Sequence, residues 1–88
     1  MRPANPIHPG RMLLEEFLAP AGTSQRAFAS RLGWTVAKLN ELINGKRGIT
    51  ADSALDLAHE LGTTPELWLN LQMHCDLNRA EAKRKKAS

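Results

Sequence analysis

Only one cysteine, Cys75, occurs among the 88 residues. An internal disulfide is therefore excluded, and a lone thiol fits a reducing, cytoplasmic setting. No apolar run approaches the roughly 18 residues that a membrane span requires. The opening MRPANPIHPG lacks the apolar stretch of a secretory signal. Alternation at period two never persists and β-branched residues are sparse, so no strand is expected. No internal repeat is present. No Ser-His-Asp, Cys-His or paired-carboxylate arrangement stands out. His8, His59 and His74 share no metal-ligand spacing, and the adjacent His74 and Cys75 point apart on a helix. Neither an enzyme, nor a metal site, nor a cofactor is expected.

Basic residues are missing from a third of the chain. Residues 51–78 hold Asp52, Asp56, Glu60, Glu66 and Asp76 but no lysine or arginine. The basic residues gather on either side. Arg26, Arg31, Lys38, Lys46 and Arg47 stand against Glu41 in residues 23–50, and Arg79, Lys83, Arg84, Lys85 and Lys86 stand against Glu81 in 79–88. The overall charge of +3 conceals this polarity. It implies one surface for a polyanion and another that avoids it or meets a basic partner.

What is present is helical periodicity in a chain long enough for one small core. Apolar residues recur at three- and four-residue spacing, which predicts an all-α fold of five helices at about 9–19, 24–32, 35–44, 50–61 and 64–82. The first carries a stripe of Leu13, Leu14, Phe17 and Leu18, has Pro9 in its first turn, and is ended by Pro20 and Gly22. Ser24 caps the second and Gly33 stops it; Thr35 caps the third, whose seam is Leu39, Leu42 and Ile43. Thr50 caps the fourth, with Ala54, Leu55, Leu57, Ala58 and Leu61 facing inward. Thr64 and Pro65 start the fifth, which carries Leu67, Trp68, Leu71 and Cys75. Residues 1–8 read as an N-terminal arm, 9–78 as the domain, and 79–88 as a basic tail with a disordered end.

Two short helices joined at Gly33 match a helix-turn-helix. The turn needs a residue tolerant of positive φ, and small Ala29 suits the crossing. The helix N-termini at Ser24 and Thr35 offer backbone N–H groups to phosphate oxygens. The pattern alone is only moderately specific, and the concentration of positive charge on this segment strengthens it.

The stretch SQRAFASRLGWTVAKLNELINGKRGIT resembles the helix-turn-helix of the XRE, or lambda-repressor-like, superfamily. More narrowly, NPIHPGRMLLEEFLAPAGTSQRAFASRLG, NGKRGITADSALDLAHELGTTPELWLNLQ and DLNRAEAK resemble the HigA (VapI-like) antitoxins. The resemblance covers the chain from about Asn5 to Glu81, with Trp34 standing where a small aliphatic residue is more usual. It implies a five-helix lambda-repressor-like domain, and a dimeric repressor that binds the operator of its own operon. It also implies a partner toxin, a RelE-like mRNA-cleaving ribonuclease named HigB, which the antitoxin neutralises by binding.

In the superfamily's arrangement the third helix enters the major groove. That places Val36, Ala37, Lys38, Asn40 and Glu41 at base edges. Asn40 suits adenine, Lys38 guanine or a phosphate, Val36 and Ala37 thymine methyl groups, and Glu41 a cytosine amino group. Ser24, Gln25, Thr35, Asn44, Lys46 and Arg47 are expected on phosphates, giving salt-dependent affinity for double-stranded DNA. A homodimer on half-sites about 34 Å apart, or a multiple, is expected. The fifth helix, with Trp68, Leu71 and Cys75, is the candidate dimer or partner surface, although Trp68 suits core closure better than an interface. Two other readings stay open: a solitary regulator without a toxin, and an interaction module that has lost DNA binding.

Overall fold

The computed structural model describes residues 5–87. The start of the expected arm, residues 1–4, and the last residue of the expected tail, Ser88, lie outside the described residues. The chain folds as an all-helical domain of five rods, with no strand among the described residues. The first rod comprises α1 (Pro9–Leu13), a π-helical segment (Leu14–Leu18) and α2 (Ala19–Ala21). There follow α3 (Gln25–Leu32), α4 (Val36–Ile43), α5 (Ala51–Leu61) and α6 (Pro65–Ala87).

The expected caps are in place. Ser24 Oγ accepts from Ala27 N–H and Thr35 Oγ1 from Lys38 N–H, each at 3.1 Å. Thr50 Oγ1 accepts from Ser53 N–H at 3.1 Å and Thr64 Oγ1 from Leu67 N–H at 3.3 Å. Each bond satisfies a backbone donor that the first helical turn leaves without an intrahelical partner. Gly33, at φ +73°, carries the tight turn between α3 and α4.

The first rod departs from expectation. Pro20 does not end it; the helix runs on to Ala21 and closes at Gly22. Pro20 has no N–H and its ring would crowd the carbonyl of Glu16 in a regular α-turn. Directly ahead of it the ladder widens, and Ala19 N–H bonds the carbonyl of Leu14, five residues back. The widened turn also re-sets which residues face inward. Leu13 and Leu18, five apart, are buried, whereas Leu14 is on the surface and Phe17 is half-buried.

The core joins Leu13 and Leu18 to Phe28 and Ala29 of α3, Leu39 and Leu42 of α4, Ile49 of the following loop, Ala54 and Leu57 of α5, and Trp68 of α6. Trp68 is wholly buried, which removes it from any outer surface of the single chain. Its ring lies 5.6 Å from that of Phe17, and its indole N–H donates to Thr63 Oγ1 at 2.8 Å. Leu55 is a second correction: it is 57% exposed. The inward set on α5 is Ala54, Leu57, Ala58 and Leu61, spaced for one face, and Leu55 lies roughly 100° off it.

Two tethers went unseen in the sequence. A Cβ on Gly10 would land on the Leu42 carbonyl and 2.8 Å from Ile43 Cα, so α1 meets the backbone of α4 directly. Gln72 Oε1 accepts from Ile49 N–H at 2.8 Å while its Nε2 donates to Asp76 at 2.9 Å, pinning the loop after α4 to α6. The last helix continues through the expected tail as far as Ala87, and every residue from Asp76 to Ala87 is exposed. Among the described residues no helix is long and apolar enough to cross a membrane.

Candidate nucleic-acid interface

α4 is anchored from behind by Leu39 and Leu42, both buried, and by the contact of Gly10 with its last turn. Its outward face is thereby fixed. Val36, Ala37 and Asn40 are exposed, with Glu41 half-buried beside them. Ala37 and Glu41 lie nearly opposite Leu39, while Lys38 sits roughly 100° from it, on a flank.

An amide chain crosses this face. Asn44 Nδ2 donates to Asn40 Oδ1 at 3.0 Å, and Asn40 Nδ2 donates to Gln25 Oε1 at 3.2 Å. Gln25, the first residue of α3, is thus tied to α4 across the turn. An amide has two donor hydrogens and an oxygen with two lone pairs. The chain uses one of each on Asn40 and leaves one of each, enough for the paired contact that an adenine edge offers. Gln25 and Asn44, expected as phosphate contacts, also hold Asn40 in position.

The acid on this face has a partner. Arg47 lies against Glu41, with its terminal nitrogen 2.8 Å and its Nε 3.2 Å from Glu41 Oε1. The pairing answers how a carboxylate stands among groups aimed at a polyanion: in the free protein its charge is offset locally. Arg47, expected on a phosphate, is held instead by the helix it follows. Lys46 is exposed in the same loop. Ser24 and Thr35 use a lone pair each for capping, so their O–H groups stay available as donors.

Lys38 meets a ring on its flank of α4. Its Nζ lies 4.2 Å from the centre of the Trp34 ring. The indole N–H of Trp34 donates in turn to Asp56 Oδ2 of α5 at 2.9 Å. The sequence does not mark Asp56 as part of this face, because no periodicity links positions 22 residues apart. Arg31 and Glu60, 3.4 Å apart, add a second tie between α3 and α5.

Of the three residues expected at a dimer or partner surface, none is fully exposed. Trp68 is core, Leu71 is half-buried against the core, and Cys75 is half-buried beside the N-terminal segment, with its sulfur 3.9 Å from the Pro6 carbonyl. Burial pushes the Cys75 thiol up from its ordinary range, so it holds its proton. The large apolar residues exposed on α6 are Leu69, Met73 and Leu77. They follow at four-residue steps, a stripe masked in the sequence by the buried Trp68 just before it and the half-buried Leu71 within it. A cleft of about 370 Å³ between the N-terminal segment and α6 is lined by Asn5, Pro6, His8, Cys75, Asn78 and Arg79, and contains none of the α4 residues.

Comparison with known proteins places this geometry among relatives. Residues 14–68 match the model of the helix-turn-helix family HTH_3. The chain is 45% identical over 75 residues to virulence-associated protein I of Dichelobacter nodosus, covering 85% of this chain and 69% of that one. It is 44% identical over 72 residues to antitoxin HigA-1 of Vibrio cholerae, covering 82% and 68%. Among solved structures, antitoxin GraA superposes with a TM-score of 0.88 at 44% identity, over 99% of this chain and 90% of that one. The same antitoxin in complex with its operator gives 0.85 at 43% identity, over 94% and 84%.

Proposed function

The chain belongs to the HigA (VapI-like) family of helix-turn-helix proteins, and on that premise we propose that it is an antitoxin that represses its own operon by binding the operator. The observation that carries the DNA reading is the outward face of α4. There the Gln25–Asn40–Asn44 amide chain holds polar side chains in fixed positions beside two capped helix N-termini. A solvated face with no task would gain little from ordering three side chains, since each loses rotamer freedom. Ala37 and Val36 suit thymine methyl groups, Asn40 suits adenine, and Glu41 suits a cytosine amino group. Ser24, Thr35, Gln25, Asn44 and Lys46 meet the backbone, joined by Arg47 where the DNA draws it from Glu41. Acting on an operator sets the protein's place in the cytoplasm.

The active species is a homodimer, as two half-sites about 34 Å apart, or a multiple, require. Leu69, Met73 and Leu77 of α6 form the surface that a second copy covers, in place of the buried Trp68. The protein partner is a HigB-like, mRNA-cleaving toxin. The 51–78 segment, acidic throughout, suits a basic ribonuclease.

The test is a mobility shift on the duplex upstream of the chain's own reading frame, set against a random duplex of equal length. The parent shifts the upstream duplex at lower concentration, and Asn40→Ala loses most of that preference, about 1–3 kcal/mol per half-site. Equal binding of both duplexes by the parent would overturn sequence-specific repression, and no binding of either at low salt would favour the interaction-module reading. The toxin arm is a cell-free translation assay. The small protein encoded beside this chain stops translation, and equimolar addition of the chain restores it; no restoration points to a solitary regulator.

A further inference from the structure

We propose that Trp34 is a positioning residue that decides what Lys38 does on DNA: it holds the lysine on a backbone phosphate and off the base edges. The inference rests on the DNA-reading function above and deepens it. Three elements converge here. Asp56 of α5 accepts the indole N–H of Trp34 at 2.9 Å, and the face of that indole carries the Lys38 ammonium 4.2 Å from its centre. Trp34 itself is half-buried and packs on the core, so it is not free to swing with the lysine. A hydrogen bond to a carboxylate makes the ring a better seat for a cation. Lys38 has four rotatable bonds and would otherwise sweep both the flank and the front of α4.

Held by the ring, the ammonium stays on the flank: measured from the buried pair Leu39 and Leu42, Lys38 lies roughly 70° round α4, whereas Asn40 and Glu41 lie roughly 130° and Ala37 roughly 170°. When a helix lies in a groove, its outward face meets base edges and its flanks meet the phosphate walls. The Trp34 seat therefore assigns Lys38 to affinity and leaves discrimination to Ala37, Asn40 and Glu41. An aliphatic side chain at position 34 offers a cation no seat, so the choice of tryptophan alters base preference without touching DNA.

The experiment selects bound sequences from a library randomised around the upstream duplex, using parent, Lys38→Ala, Trp34→Leu, Trp34→Phe and the Trp34→Leu/Lys38→Ala double variant. Far-UV circular dichroism verifies folding. Lys38→Ala weakens binding to the upstream and random duplexes by the same factor, roughly three- to tenfold, lowers the salt slope by about 0.9 per chain, and leaves the selected sequence unchanged. Trp34→Leu frees the lysine and shifts the selected base at one or more positions per half-site. The shift disappears in the double variant. Trp34→Phe, which keeps the ring face, selects the parental sequence. An altered sequence with Lys38→Ala, or an unaltered one with folded Trp34→Leu, overturns the proposal. If Trp34→Leu does not fold, Lys38→Ala decides the matter alone. A parent that selects no sequence overturns the DNA reading itself, and this inference with it.

Discussion

Single residues on the α4 face gain their meaning from neighbours that the sequence does not place beside them. Glu41 alone is a negative charge on the face proposed to meet DNA; with Arg47 at 2.8 Å it is half of a neutral pair. Both members are about half exposed, so the pair contributes little to stability. Its consequence is electrostatic. Glu41→Gln adds one positive charge per chain on the DNA side and releases Arg47 toward phosphates. Affinity for random duplex should rise several-fold and its salt dependence steepen, while the preference for the operator narrows. Fluorescence anisotropy at two salt concentrations measures both, and a fall in random-duplex affinity would mean that the pair positions Arg47 rather than restrains it. His8 acts at the same scale in the fold. Its Nδ1 accepts from Gly10 N–H at 3.0 Å, capping α1. Burial, and then the nearby Arg79, lower its pKa from the ordinary 6.5, against a smaller opposing effect of Asp76. The unfolded chain therefore takes up the proton first. The stabilisation is complete above about pH 6.5 and declines as pH falls below it. His8→Asn, which can still cap, should flatten that decline in urea titrations between about pH 7 and 5.

At the scale of elements, helix existence was legible and helix facing was less so. Ser24, Thr35, Thr50 and Thr64 cap where the sequence puts them, because a cap is a local bond between residues three apart. The helix-turn-helix was legible for the same reason, through Gly33. The inward set of the first rod was not, since the π-helical turn ahead of Pro20 shifts the facing by a residue and exposes Leu14. Nor were the site's long-range ties, Trp34 to Asp56 and Gln25 to Asn40, because no periodicity connects the elements that carry them. Gly10 is the sharpest such case. Read locally, it is only the second residue of a helix, a poor position for glycine. In the fold it lets α1 rest on the α4 backbone, and any Cβ there meets the Leu42 carbonyl. Backbone cannot yield as a side chain does, so Gly10→Ala should cost about 2–3 kcal/mol and lower the melting temperature by roughly 10 °C or more. Gly48→Ala is the comparison, since its Cβ meets the Gln72 amide at 2.9 Å, so that a side chain and its hydrogen bonds to Ile49 and Asp76 give way rather than backbone. A Gly10→Ala protein as stable as the parent would show that α1 can lift from α4 without cost.

The whole molecule measures 46 × 24 × 23 Å, and the long dimension reflects an α6 that outruns its own core. A helix of a dozen residues with no buried face is marginal in water. Its exposed stripe of Leu69, Met73 and Leu77 begins where α6 still packs on the domain and ends where it projects. The charge division of the chain runs along the same helix. Up to Asn78 it has only acidic groups, and from Arg79 onward it is predominantly basic. Two copies laid antiparallel through the stripe would bury both apolar faces and set the basic end of each α6 beside the acidic beginning of the other. A parallel pairing would set like charges together. The antiparallel arrangement has two-fold symmetry, as paired half-sites on DNA demand. Met73, at the centre of the stripe and 46% exposed, is where a charge would do most harm to pairing and little to the single chain. Met73→Lys should sediment as a monomer at micromolar concentration with an unchanged melting curve at high dilution. Its operator affinity should fall by about a hundredfold or more, because the second half-site is no longer held at high effective concentration. Binding to a single half-site should stay within about twofold of the parent. Leu55→Lys, on the exposed face of α5, should remain dimeric. A dimeric Met73→Lys protein would move the interface away from α6, and would leave the stripe without the partner that its charge pattern fits.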